Sequence, residues 1–172
     1  MRNTDPFDKT TENTDPYSYD TNPYGGEGTD PYASDVPNQL VNEGNEFNLK
    51  GSYKDAIKCY DKAIVLKPTL VSAWAAKGHA LIKMKKYKDA FICLDEALRI
   101  DPRYATGWTF KGWALNLEDK HKEALVYLDR AIELNQTYAD AWIQKYLALN
   151  GLHRNAEAEV ALSKAREMGY KG

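Results

Sequence analysis

The chain has 172 residues, 28% charged and 43% hydrophobic, with a formal net charge of −2. No apolar run is long enough for a membrane-spanning helix, and the charge lacks the clustered Lys/Arg stripe of a nucleic-acid binder. It is also divided unevenly: residues 1–36 hold eight acids and two bases, for −6, and the remainder carries +4.

Residues 1–36 are rich in Thr, Asp, Asn, Pro, Gly and Ser, with no period of a strand or helix. Such a segment buries too little apolar surface to offset its ordering entropy and reads as a disordered, acidic tail. Its start, MRNTDPFDKTTENTDP, has no apolar core of a signal peptide, so a cytoplasmic protein is expected. Four motifs recur in it: TDPF at Thr4–Phe7, TDPY at Thr14–Tyr17, TNPY at Thr21–Tyr24 and TDPY at Thr29–Tyr32. Each joins a turn-former and proline to an aromatic. Two readings stay open: a spacer with weak turns, or short linear ligands presenting Phe7, Tyr17, Tyr24 and Tyr32.

From Pro37 the pattern repeats every 34 residues, in units 37–70, 71–104, 105–138 and 139–172. Tryptophans mark the period at Trp74, Trp108 and Trp142. Alanines mark it at Ala56, Ala90, Ala124 and Ala158, and at Ala63, Ala97, Ala131 and Ala165. Apolar spacing within each unit predicts two helices joined by a short turn; in unit two the turn falls at Lys85–Lys86 and the second helix starts near Tyr87. Asp55, Asp89 and Glu123 sit in first turns, where the helix dipole favours acids. Pro68 and Pro102 close second helices, which they cannot continue. Cys59 and Cys93 occupy equivalent places one unit apart. Helix layers about 8–10 Å apart put them beyond disulfide reach, and both read as reduced thiols.

This spacing resembles the tetratricopeptide repeat, a 34-residue helix–turn–helix. The resemblance covers all four units. It rests on the small residues Gly44, Gly78 and Gly112, on the alanine columns, and on the bulky column Tyr60, Leu94, Leu128 and Leu162. Tyr53 and Tyr87 at the turn and the closing prolines add to it. It implies an all-α, right-handed superhelical solenoid of about eight antiparallel-paired helices, in which neighbours stack because one unit cannot bury its apolar face alone. The pattern lapses at Leu40, His121, Gln136, Tyr146 and Asn155. The last helix, expected over Asn155–Met168, must cap the stack, and a monomer is expected unless exposure of Val160 or Leu162 drives weak self-association.

No catalytic set emerges, and the chain is expected not to be an enzyme. His79, His121 and His153 fall at different repeat positions, no His–Cys set has ligand spacing, and no phosphate-binding glycine loop occurs. No metal or cofactor is expected. Two charge ladders do stack: Lys77, Lys111 and Lys145, and Asp61, Asp95 and Asp129. Structural pairs are one reading; a basic strip for an acidic partner is the other.

The resemblance also implies that each first helix lines a concave groove. Unit one then offers Asn42 and Asn45, beside Asn38 and Asn48. Unit two offers His79, with Ser72, Ala75, Ala76, Ile82 and Lys83. Unit three offers Thr109, Phe110, Trp113 and Asn116, and unit four Ile143, Gln144 and Leu147, with Asp140. One end is rich in amides able to bond a peptide backbone; the other is apolar and aromatic. Trp113 lies outside the regular tryptophan column and reads either as ligand surface or as core. Chaperone-binding members of the family clamp a C-terminal carboxylate with Lys, Asn and Arg. The matching positions here are Val41, Asn45, Ala76, Thr106 and Phe110, of which only Asn45 fits, so that activity is not carried over. The expected function is a non-catalytic adaptor that binds an extended or helical segment of a protein partner, with no nucleic acid or membrane. The alternative is a structural or oligomerisation module whose aromatic tail docks on its own or a neighbouring groove.

Overall fold

The computed structural model describes residues 35–171, and every regular element among them is helical. In chain order these are α1 (Val36–Leu49), α2 (Tyr53–Leu66), α3 (Val71–Lys83) and α4 (Tyr87–Ile100). They continue as α5 (Ala105–Leu117), α6 (His121–Leu134), α7 (Ala139–Gly151) and α8 (Asn155–Glu167). The tail aromatics Phe7, Tyr17, Tyr24 and Tyr32 lie outside the described residues.

The helices pack in sequence-adjacent pairs, and α1, α3, α5 and α7 also touch along one side. The second helices make no such contacts with each other. Crowding on one side and splaying on the other bend the stack, so the first helices line its inner face. All-α solenoid architecture follows, as the repeat predicts.

Pairing depends on small residues meeting large ones. Both alanine columns are essentially buried, and Tyr60, Leu94 and Leu128 are fully enclosed. At Gly112 an added Cβ would stand 2.5 Å from Leu128 Cγ and 2.6 Å from its Cδ2. Gly78 faces Leu94 in the same way, and Gly44 faces the Tyr60 ring. Unit four tests the rule from the other side. Tyr146 replaces the glycine, and its opposing Leu162 is only half-buried. Val160 on α8 is 60% exposed, and Leu162 is less so.

The regular tryptophans fasten the units. The indole Nε1–H groups of Trp74, Trp108 and Trp142 donate to the carbonyls of Pro68, Pro102 and Gln136 at 2.8, 3.0 and 2.9 Å. The bond uses a main-chain oxygen, so glutamine at position 136 serves as well as proline. The turn inside each unit also repeats. Gly51, Lys85, Asp119 and His153 hold φ of 75°, 59°, 58° and 57°. Only unit one fills this left-handed position with the residue that adopts it without a Cβ penalty.

The charge ladders are consumed as staples between units. Lys77, Lys111 and Lys145, on first helices, reach Asp61, Asp95 and Asp129 on the preceding second helices, each at 2.6 Å. The Lys111 ammonium also stands 4.6 Å from the Tyr127 ring centre. A free basic strip is therefore not what these lysines form. Cys59 and Cys93 are buried and unbridged, and burial raises both thiol pKa values, favouring the protonated form.

The glycine contacts and the staples can each be tested by stability measurements. Gly112→Ala adds helix propensity of about 1 kcal/mol but overpacks against Leu128, at about 1–3 kcal/mol. Urea unfolding should show net destabilisation. Lys111 is the most enclosed of the stapled lysines, its side chain 10% exposed against 23% for Lys77 and 26% for Lys145. Asp95→Asn should then destabilise by about 1–3 kcal/mol, the cost of leaving a buried polar group short of its partner. Asp61→Asn and Asp129→Asn should fall nearer ~0.2–1 kcal/mol, as exposed pairs do, in the same unfolding series.

Candidate functional site

Two hollows open side by side on the inner face. One, of about 200 Å3, is lined by His79 and Lys83 of α3, Phe110 and Trp113 of α5, Ile143 and Gln144 of α7, and Tyr170 beyond α8, with Thr109 and Asp140 completing it. The other, of about 290 Å3, lies toward α1 and includes Asn45, Asn48 and Tyr104. His79 and Phe110 line both and form the divide.

The first hollow is built on a cluster of rings. The His79 ring centre lies 5.0 Å from that of Phe110 and 5.4 Å from that of Trp113, and Phe110 and Trp113 are 6.3 Å apart. The Lys83 ammonium stands 4.8 Å from the Trp113 ring centre, a cation–π distance. Trp113 and Phe110 are half-buried and pack against the core formed by α3, α4 and α5. Trp113 thus braces the core and also lines the hollow.

His79 is held neutral. Burial first, and the nearby Lys83 charge second, lower its pKa from 6.5 to about 4. Its Nδ1 lies 2.9 Å from the Asn48 side-chain amide nitrogen. With that amide donating, Nδ1 is the acceptor and the ring proton sits on Nε2. Asn48 Oδ1 is buried and finds no partner among the described residues.

The expected groove residues separate under this geometry. His79, Phe110, Trp113, Ile143 and Gln144 come together. Asn45 lines the second hollow, but its Oδ1 already accepts from the Tyr60 hydroxyl at 2.8 Å. Asn42 and Leu147 are exposed and line neither hollow. Two of the expected groove residues, Thr109 and Asn116, are buried and hydrogen-bonded within the array. Thr109 is 1% exposed, and its hydroxyl donates to the Ala105 carbonyl of its own helix at 3.0 Å. Asn116 is also buried; its Nδ2 donates to the Gln144 carbonyl at 2.9 Å, and its Oδ1 lies 3.2 Å from His121 Nδ1. Direct contact between α5 and α7 encloses Asn116 and makes it a tie between units. Ala75 and Ile82 are likewise core.

Lys83 and Asp140, both on the groove-facing helices that the repeat register offers, line this hollow. Sequence reasoning passed over Tyr170: its repeat position is that of Pro68, Pro102 and Gln136, where the main-chain carbonyl is used. Among the described residues no His/Cys/Asp/Glu group is arranged to hold a metal ion, and no helix is long and apolar enough to cross a membrane.

Comparison with known proteins bears on this arrangement. A TPR repeat model matches residues 44–85, and tetratricopeptide repeat models match residues 71–104 and 105–138. No curated protein matches significantly. Among solved structures, TTC0263, a thermophilic TPR protein in Thermus thermophilus, aligns with a TM-score of 0.73 and 19% identity, covering 77% of this chain and 74% of its own. MamA aligns at 0.65 and 23%, over 78% and 79%. YrrB, a TPR protein with an unusual peptide-binding site, aligns at 0.58 and 26%, over 76% and 67%.

The state of His79 gives a pH prediction. Its folded pKa lies below its unfolded one, so its contribution is intact above pH 6.5 and is lost as pH falls toward about 4, where the unfolded chain binds the extra proton. Chemical unfolding across this window should show a loss of stability in the native chain that His79→Phe lacks. Equal pH slopes in the two proteins would contradict a neutral His79.

Proposed function

Because the chain belongs to the tetratricopeptide repeat family, we propose that it is a non-catalytic adaptor that holds a peptide segment of a protein partner along its inner face. The observation that carries this reading is the ring-lined hollow at His79, Phe110 and Trp113. Its volume of about 200 Å3 falls below the ~300–1,000 Å3 of small-molecule sites. It suits one large side chain of a longer ligand rather than a whole metabolite.

The ligand's other contacts follow from the neighbouring groups. Gln144 offers a side-chain amide at the far wall. Lys83 and Asp140 give the hollow a polarity. In repeat register Asp140 matches Ser72, eleven residues before Lys83 on a parallel helix, about 16 Å along the axis. An acidic group on the ligand is drawn to the Lys83 end and repelled from the other.

A chaperone-type carboxylate clamp is disfavoured by chemistry. Val41, Ala76, Thr106 and Phe110 supply no cation at the clamp positions, and Asn45 is bonded to Tyr60. YrrB, with its unusual peptide-binding site, supports the view that this fold takes peptides in more than one manner.

Peptides selected from a random display library against the full chain provide the test. Trp113→Ala should weaken the selected peptides by about 30-fold, as loss of a ~2 kcal/mol hot spot does. Leu147→Ala, outside both hollows, should change affinity less than about threefold. Equal binding by native chain and Trp113→Ala would overturn the reading; circular dichroism of the variant establishes that it is folded.

A further inference from the structure

We propose that the hollow has a resident ligand: the tail motif Asp15-Pro16-Tyr17 of the same chain docks there, with Tyr17 among His79, Phe110 and Trp113 and the Asp15 carboxylate at Lys83. This rests on the reading of the hollow as a side-chain receptor.

The first support is chemical complementarity. The receptor presents an aromatic cluster with an ammonium at one edge, and Lys83 has no carboxylate within ion-pair distance among the described residues. The motif places an acid two residues before an aromatic, with a proline, whose ring restricts its own backbone torsion, between them. The segment that carries it has a charge of −6, against +4 for the rest of the chain, so long-range attraction has the required sign and is screened by salt.

Reach then discriminates among the four motifs. Lys83 stands in repeat register with Leu49, the last residue of α1, about 20 Å along the helix direction from Val36. The hollow also lies one to three helix layers away from α1, at about 8–10 Å each. Tyr32 is three residues from Asp35, a tether of at most about 10 Å, and falls short. Tyr24 follows Asn22, which brings no charge for Lys83. Tyr17, with eighteen residues to Asp35 and up to about 60 Å of extended chain, satisfies both conditions. Phe7, preceded by Asp5, satisfies them too, with a longer tether and so a lower effective concentration.

Docking in the same chain makes the tail a competitor for any external ligand. An effective concentration of about 1 mM set against a motif affinity of about 0.1 mM would weaken a competing peptide by about tenfold. The site would then open fully only to ligands that displace its own tail, or after the tail is removed or drawn elsewhere.

The test compares the full native chain with full-length Phe7→Ala/Tyr17→Ala and Tyr24→Ala/Tyr32→Ala. In nitrogen–proton spectra, the first variant should move the Trp113 indole and Phe110 and Ile143 amide signals, and the second should leave them in place. A library-selected peptide should bind the first variant about tenfold more tightly than the native chain. A synthetic peptide of residues 11–20 should return the first variant's signals toward native positions, and the same peptide with Asp15→Asn and Tyr17→Ala should not. Coincident spectra of the native chain and the first variant would overturn the inference, as would native signals that shift on tenfold dilution, which would place the tail on a second copy. The failures are separable. If selected peptides still need Trp113 while the tail variants change nothing, the resident ligand falls and the adaptor reading stands.

Discussion

Close approach of the two helices in each unit is the constraint on which the structure depends. Gly44, Gly78 and Gly112 give up a side chain so that Tyr60, Leu94 and Leu128 can occupy the space. The alanine columns hold the remaining backbones near contact. Because a glycine position is fixed in each of the first three inner helices, the residue after it is fixed in direction but free in kind. That neighbouring position reads Asn45, His79, Trp113 and Leu147 along the array. Core packing therefore sets where this inner-face column lies without setting what it is made of, and the column runs from amide to aromatic to aliphatic within one scaffold.

The same constraint explains the ends. Where Tyr146 takes the glycine position, Leu162 is only half-buried, in contrast to the enclosed Tyr60, Leu94 and Leu128. Fastening between units is carried by the indole-to-carbonyl bonds and the lysine–aspartate staples, neither of which depends on the closing proline. Tolerance of Gln136 follows directly. A main-chain acceptor survives any substitution that keeps the turn, whereas a side-chain acceptor would not.

The fold was legible because periodicity reports packing: fixed spacing of Gly, Ala and Trp reflects contacts that recur in every unit. The site was legible only in part. His79, Phe110 and Trp113 could be found by register, since they break a column on a face the family resemblance assigns to ligands. Thr109 and Asn116 share that face but lie deeper in it, because register gives direction but not depth. Contact between α5 and α7 encloses Asn116, and the backbone of α5 takes the Thr109 hydroxyl. Tyr170 was invisible for a third reason. It enters the hollow from beyond the last helix, at a position where the other units use only a carbonyl, so no column of side chains marks it.

A neutral His79 links these levels. In water an imidazole near neutrality is partly charged; here burial under Phe110 and Trp113 and the adjacent Lys83 disfavour the proton. Protonation would put a second cation beside Lys83 and remove the Nδ1 acceptor that Asn48 uses. The ring therefore behaves as an aromatic wall with one oriented hydrogen bond, and the remaining charge at this end of the hollow belongs to Lys83. A ligand that brings an aromatic ring with a nearby carboxylate meets both features together. A basic ligand meets the same rings but repels the lysine that covers one of them. On the proposed reading, charge at the rim would select among aromatic ligands that the hollow itself would accept alike.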